Sequence, residues 1–306
     1  MYLQSLILRH FRNYTEQKIH FTAAKTIVLG NNAQGKSNLL EAVELLSILK
    51  SHRTSRDRDL IQTEQPIAQI LGQLNRETSG QLELSLTLRS TGRRSIALNG
   101  VSLRRQLDFL GTLNMVQFSS IDLDLVRSGP EHRRAWADGL LVQLEPIYAH
   151  LFTQYQQVLR QRNALLKQYK SQTPPSPPPP LPSLPLPSSP SVAQNLSLWD
   201  AQLAIAGTRV MRRRARMLQR LIPLAQHWHQ AISGQTEQLQ IRYLPNVPME
   251  TDDPESLQQA FLDRIQSRAI AETQQGTSLV GPHRDEIELT INDTPAKQYG
   301  SQGQQR

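Results

Sequence analysis

Cysteine is absent from the 306-residue chain, so neither disulfide bonds nor thiolate-held metals can contribute to its fold or its chemistry. Such a sequence suits a reducing cytoplasm, which is the expected location. No apolar run is long enough to span a bilayer. The start, Met1-Tyr2-Leu3-Gln4-Ser5, has neither the basic opening nor the apolar stretch of a secretion signal, so no membrane association is expected. Aromatic residues make up only 5% of the chain and are not interleaved with its basic clusters, which argues against a base-stacking platform for single strands. Acidic residues are outnumbered, 26 against 34 Lys and Arg, leaving a formal charge of +8. That excess draws the protein toward polyanions, because each phosphate it neutralises releases condensed counterions.

What is present begins with a motif. The apolar run Ile27-Val28-Leu29 reads as a buried strand ending at Gly30. It leads into Gly30-Asn31-Asn32-Ala33-Gln34-Gly35-Lys36-Ser37, the Gly-x4-Gly-Lys-Ser spacing of a phosphate-binding loop. Its glycines can adopt backbone angles closed to other residues, so that successive amides converge on phosphate oxygens. Lys36 adds a point charge for the β- and γ-phosphates, and the Ser37 hydroxyl is placed to ligate Mg²⁺. Leu39, Ala42, Val43, Leu46 and Leu49 then give one apolar face to a helix from Ser37 to Lys50, whose positive dipole end points at the anion. The ligand expected is ATP, with Mg²⁺.

The length allows a second, smaller lobe. Leu82, Leu84, Leu86 and Leu88 alternate strictly with polar residues, and Asn99-Gly100 signals a hairpin turn after Ile96 and Leu98. A helical pattern from Pro146 to Lys170 and a second from Leu198 to Leu221 enclose a segment rich in proline, from Pro174 to Pro190, which reads as an extended insertion. Ile287, Leu289 and Ile291 form a last strand, expected to return to the first lobe. The fold is read as α/β, with antiparallel hairpins around a phosphate-loop core and a smaller helical lobe. The boundaries are 1–143 for the head, 144–275 for the helical lobe with its insertion at about 172–192, and 276–306 for the return.

Leu8-Arg9-His10-Phe11-Arg12-Asn13-Tyr14, followed by the loop and Asn38, resembles the opening of the RecF family of recombination and repair ATPases. Later segments resemble family motifs in the same order: Ser51-His52-Arg53-Thr54-Ser55-Arg56-Asp57, Gln161-Arg162-Asn163-Ala164-Leu165-Leu166, Trp199-Asp200-x-Gln202-Leu203, Gly281-Pro282-His283-Arg284-Asp285 and Ser301-Gln302-Gly303-Gln304-Gln305-Arg306. The resemblance covers nearly the whole chain and implies an ABC-type head, an ATP-dependent homodimer, binding to single-stranded and gapped DNA, and cooperation with the RecO and RecR mediators. It also implies that Ser301, Gly303 and Gln304 touch the partner's ATP in trans; by itself this stretch reads as a polar tail. By itself, too, Gly281 to Asp285 reads as a turn with surface ion pairs. The stretch Phe118 to Leu123 departs from the family's Ser-Pro-Glu-Asp-Leu-like pattern, so Gln117 is given no nucleotide-sensing role. The family continues into an acidic Walker B strand, whereas this sequence stops at Arg306. A shortened form that binds ATP but hydrolyses it poorly is therefore expected.

Several basic clusters are candidates for DNA: Arg53, Arg56 and Arg58 after the loop helix, the pair Arg104-Arg105, and Arg212, Arg213 and Arg214 in the second long helix. Contacts from such clusters would track phosphates without reading sequence. The competing reading for each is a solvated helix face. A P-loop kinase would leave the basic helices and the signature-like end unexplained.

Overall fold

The computed structural model describes residues 1–76, 80–172 and 192–299. Most of the proline-rich insertion and the residues Ser301, Gly303 and Gln304 lie outside them. The chain divides into two compact units, one formed by Met1–Phe118 with Val142–Ile147, the other by Ser119–Leu141 with the chain from Tyr148 onward.

In the first unit six strands form one antiparallel sheet in the order β2-β1-β3-β4-β5-β6. They are β1 (Tyr2–Phe11), β2 (Tyr14–His20), β3 (Ile67–Arg76), β4 (Gly80–Arg89), β5 (Ser95–Leu98) and β6 (Val101–Leu103). The leucine alternation sets the register: Leu84, Leu86 and Leu88 of β4 are fully buried, as are Ala68, Ile70 and Leu74 of β3. Asn99 and Gly100 both take positive φ, 49° and 77°, the backbone twist that a two-residue hairpin between β5 and β6 needs. Helix α1 (Lys36–Ile48) turns Leu39, Ala42, Leu45 and Leu46 into the core.

The second unit holds α2 (Asp124–Arg127), most of α3 (Pro130–Leu144), α4 (Ile147–Gln172), α5 (Val192–Ile232) and α6 (Pro254–Gln275). A three-stranded antiparallel sheet joins β7 (Leu239–Leu244), β8 (Glu286–Ile291) and β9 (Thr294–Pro295) in that order, followed by α7 (Ala296–Tyr299). Helix α6 carries its own punctuation. Asp253 accepts a hydrogen bond from the Ser256 amide at 2.7 Å, Pro254 opens the first turn, and Gly276 closes the last in the left-handed conformation. Helices α5 and α6 approach closely at Gly207, where a Cβ would lie 2.4 Å from the Phe261 ring.

Two arginines anchor this unit from inside. Arg162, 1% exposed, donates to Asp200 (2.6 Å), Glu272 (2.6 Å) and the Ser278 hydroxyl (2.7 Å). Arg214, also 1% exposed, grips both Asp138 oxygens (2.8 and 3.0 Å), the Pro282 carbonyl (2.6 Å) and Asp285 (3.2 Å).

Two expectations are corrected. Ile27, Val28 and Leu29 are not a buried strand; they are 83%, 45% and 86% exposed and belong to neither sheet, so their backbone finds no ladder among the described residues. The strand containing Ile287, Leu289 and Ile291 pairs antiparallel with β7, and Arg133 of α3 donates to Glu286 at its start at 2.8 and 2.9 Å. The second long helix is longer than its periodicity suggested, reaching from Val192 to Ile232 through Pro223.

Candidate functional site

The loop from Gly30 to Ser37 connects to α1 through Gly35, whose φ of 103° is left-handed and whose α-carbon is pressed by its neighbours. A Cβ there would lie 2.7 Å from the Asn13 side chain, so the position has room for glycine alone. Asn13 stands in the β1–β2 turn and accepts a hydrogen bond from the Asn38 amide at 2.8 Å, while the Tyr14 hydroxyl donates to the Gly35 carbonyl at 3.1 Å. The turn thus holds the first turn of α1 in place. The Gln34 side chain accepts from the Asn31 amide at 2.9 Å.

Lys36 folds back over the loop, its ammonium donating to the Gly30 and Asn31 carbonyls at 2.7 Å each. The cation is therefore held against the backbone at the start of the loop. Ser37 is exposed in the first turn of α1. These residues fit a nucleotide triphosphate: glycine curvature, one lysine at the mouth, a helix N-terminus behind it, and a hydroxyl placed for a cation that also takes phosphate oxygens. No cluster of three or more His, Asp or Glu able to hold a metal occurs among the described residues.

One element of the site was missed from sequence. Glu41, fully buried one turn beyond Ser37, receives Arg12 through two hydrogen bonds of 2.9 and 2.6 Å, Ser51 at 2.5 Å and Arg53 at 3.2 Å. Burial by itself would raise this carboxyl, but the hydrogen bonds and charges of Arg12, Ser51 and Arg53 outweigh it and hold Glu41 below the ordinary carboxylate range. Helical spacing puts Glu41 away from the apolar face of Leu39, Ala42, Val43, Leu46 and Leu49, so the sequence carried no signal of its burial. The clamp fixes the segment after α1 against the loop helix, and Arg53 also donates to Asn38 at 2.6 Å.

The arginines proposed for DNA divide. Arg56, Arg58, Arg104 and Arg105 are exposed on the first unit, and Arg53 is committed to the clamp. Arg104 lines a cavity of about 410 Å³ together with Arg93, Arg94 and Asp57. In the second unit, Arg212 pairs with Asp252 at 2.7 Å and Arg213 is half-buried. Arg214 is not a surface residue: helical periodicity turns it inward while its neighbours face out, and its charge is spent on Asp138 and Asp285.

Within Gly281 to Asp285 the structure buries Gly281, Pro282 and Asp285, half-buries His283 and leaves Arg284 exposed, so the acidic residue is interior and forms no surface pair. Asp285, fully buried, accepts from Arg214, Tyr243 and the Asn246 amide. His283 faces the Ser278 carbonyl with Nε2 at 3.1 Å, so that nitrogen carries the proton and Nδ1 accepts from the Tyr155 hydroxyl. Burial, reinforced by Arg284, Arg134 and Arg162, lowers its pKa to about 4. The folded value lies below the unfolded one, so this contribution is complete above about pH 6.5 and declines as pH falls toward the folded value. Urea unfolding followed by tryptophan fluorescence is expected to show the second unit weakened by up to about 3 kcal/mol between pH 7 and pH 4, with the slope reduced in His283→Gln.

A family model described as an AAA domain matches residues 5–219. The DNA replication and repair protein RecF of Nostoc punctiforme is 64% identical over 306 residues, which is all of this chain and 78% of that protein. The protein of the same name from Cyanothece sp. is 60% identical over all of this chain and 77% of its own length. A solved structure of the recombination mediator protein RecF-ATP in the RecFOR pathway gives a TM-score of 0.87 at 27% identity, covering 99% of this chain and 77% of that one. The α/β architecture is that of an ABC-type ATPase head, and with identity of this order along its whole length the chain belongs to the RecF family of DNA replication and repair proteins.

Proposed function

We propose that this protein binds ATP with Mg²⁺ at the Gly30–Ser37 loop, binds single-stranded and gapped DNA, and works in recombinational repair as an ATP-dependent dimeric clamp. With RecO and RecR it would load recombinase at single-strand gaps in the cytoplasm. The observation that carries the reading is Lys36 held at the mouth of a loop whose glycine curvature and helix N-terminus suit a triphosphate. Loop amides and Lys36 would hold the β- and γ-phosphates, and Ser37 the Mg²⁺; the ion would neutralise phosphate charge. The β1–β2 turn and the Glu41 clamp would keep the loop in its binding shape, so that little ordering is left for the moment of binding.

The dimer follows from resemblance: Ser301, Gly303 and Gln304 of one protomer would reach the γ-phosphate of its partner's ATP, making nucleotide the link between heads. DNA would meet Arg56, Arg58, Arg104 and Arg105 on the first unit and Arg212 and Arg213 on the second, through its backbone. Anisotropy of a labelled gapped duplex tests this reading. ATP with Mg²⁺ is expected to tighten binding at least several-fold over the nucleotide-free protein, with affinity falling steeply with salt. Equal affinity with and without ATP would remove the gating role.

A further inference from the structure

The last strand of the first unit's sheet leaves an edge open. Among the described residues β6 pairs with β5 alone. Asn99 and Gly100 close the hairpin in two residues, so Leu98 and Val101 are its hydrogen-bonded pair, and Ser102, one step further on, turns its amide and carbonyl away from β5. An edge of this kind is a template for another strand. Val101 beside it is 67% exposed.

At this edge lies the cavity of about 410 Å³ that Arg104 lines. Its apolar part is Ile96 and Leu103, which are cross-strand partners in β5 and β6. Around them stand Arg93, Arg94 and Arg104 against the single carboxylate of Asp57, so positive charge is in excess. Arg94 donates to Asp57 and to the Leu49 carbonyl at the end of α1, which fixes it as a wall of the cavity. Arg93 and Arg104 are exposed, and neither makes a hydrogen bond or ion pair among the described residues.

Two arginines without partners select an anion, the Ile96–Leu103 pair selects an apolar side chain, and the outward Ser102 backbone selects another backbone in extended form. The DNA backbone meets only the first demand. A second copy of this chain would bring the same arginines against these. An acidic polypeptide with apolar residues on one face meets all three.

We propose that the β6 edge and its cavity dock an extended acidic segment of a partner protein, added as a strand along Ser102, with its carboxylates on Arg93 and Arg104 and an apolar side chain on Ile96 and Leu103. This site goes beyond the DNA-binding reading and meets it only at Arg104.

The test titrates the full chain into a fluorescein-labelled peptide, Asp-Asp-Ile-Asp-Leu-Asp-Asp, whose Ile and Leu share one face of a strand, and reads anisotropy. Saturable binding in the micromolar range is expected. The same peptide with serine in place of Ile and Leu is expected to bind roughly ten-fold more weakly. Arg93→Ala is expected to weaken the peptide about three-fold and Ser102→Pro, which removes an outward amide that an edge strand can spare, roughly ten-fold. Both variants are expected to keep the wild-type urea transition and to bind a labelled gapped duplex within about two-fold of wild type. Arg93→Glu combined with Arg104→Glu is expected to abolish peptide binding. A wild type that does not bind the peptide, or that binds the serine peptide equally well, would overturn the proposal. Weaker duplex binding in Arg93→Ala with peptide affinity unchanged would also overturn it and give the cavity to nucleic acid.

Discussion

Replacing Lys36 with alanine is expected to lower ATP affinity about 100-fold while leaving the protein as stable as before. Its ammonium is drawn into the loop, resting on the Gly30 and Asn31 carbonyls. Charge-assisted hydrogen bonds to two phosphates contribute about 3 kcal/mol together, which corresponds to roughly that loss. Stability is spared because the loop's shape is set elsewhere. Gly35 is fixed by Asn13 and Tyr14, and α1 by its buried leucines. Lys36→Arg is expected not to rescue binding, since a planar fork does not replace a compact charge in so narrow a ring. Displacement of a fluorescent ATP analogue measures both variants. Wild-type affinity in Lys36→Ala would mean that the loop amides alone bind nucleotide, or that it binds elsewhere.

The second large effect lies at Arg214. Removing this guanidinium in Arg214→Met would leave Asp138 and the fully buried Asp285 without their shared cation, a defect that typically costs about 3–5 kcal/mol. Arg214→Lys keeps the charge but loses the two-oxygen grip on Asp138, so an intermediate loss is expected. The chain's 3 tryptophans, Trp136, Trp199 and Trp228, all belong to the second unit, so urea unfolding followed by their fluorescence reads this unit selectively. A surface contact for DNA would give the opposite pattern, with unchanged unfolding and weaker DNA binding. That outcome would return Arg214 to the basic clusters from which its burial removes it.

The contrast between these two residues explains how much the sequence disclosed. Lys36 was legible because the phosphate loop is local: eight consecutive residues carry curvature, charge and helix start together, and no distant partner is needed to recognise them. The leucine alternation of β4 and the Asn99-Gly100 turn were legible for the same reason. Arg214 was misplaced because its neighbours Arg212 and Arg213 share its chemistry, and only the packed helix decides which side turns inward. Its partners Asp138 and Asp285 lie far away in sequence. Glu41 escaped notice likewise, since Arg12 and Arg53 come to it from separate segments. Ile27, Val28 and Leu29 misled in the other direction. Apolar runs record a tendency to be buried, and burial needs a neighbouring strand that the sequence of the run does not specify.

Titration calorimetry of the wild-type chain with ATP, in Mg²⁺ and at neutral pH, is the most direct measurement of the account's central claim, that this loop is a working nucleotide site. A saturable isotherm at one ATP per chain is expected, with the heat abolished in Lys36→Ala at the same concentrations. The absence of binding by a wild-type protein whose circular dichroism and urea transition are those of a folded chain would contradict it.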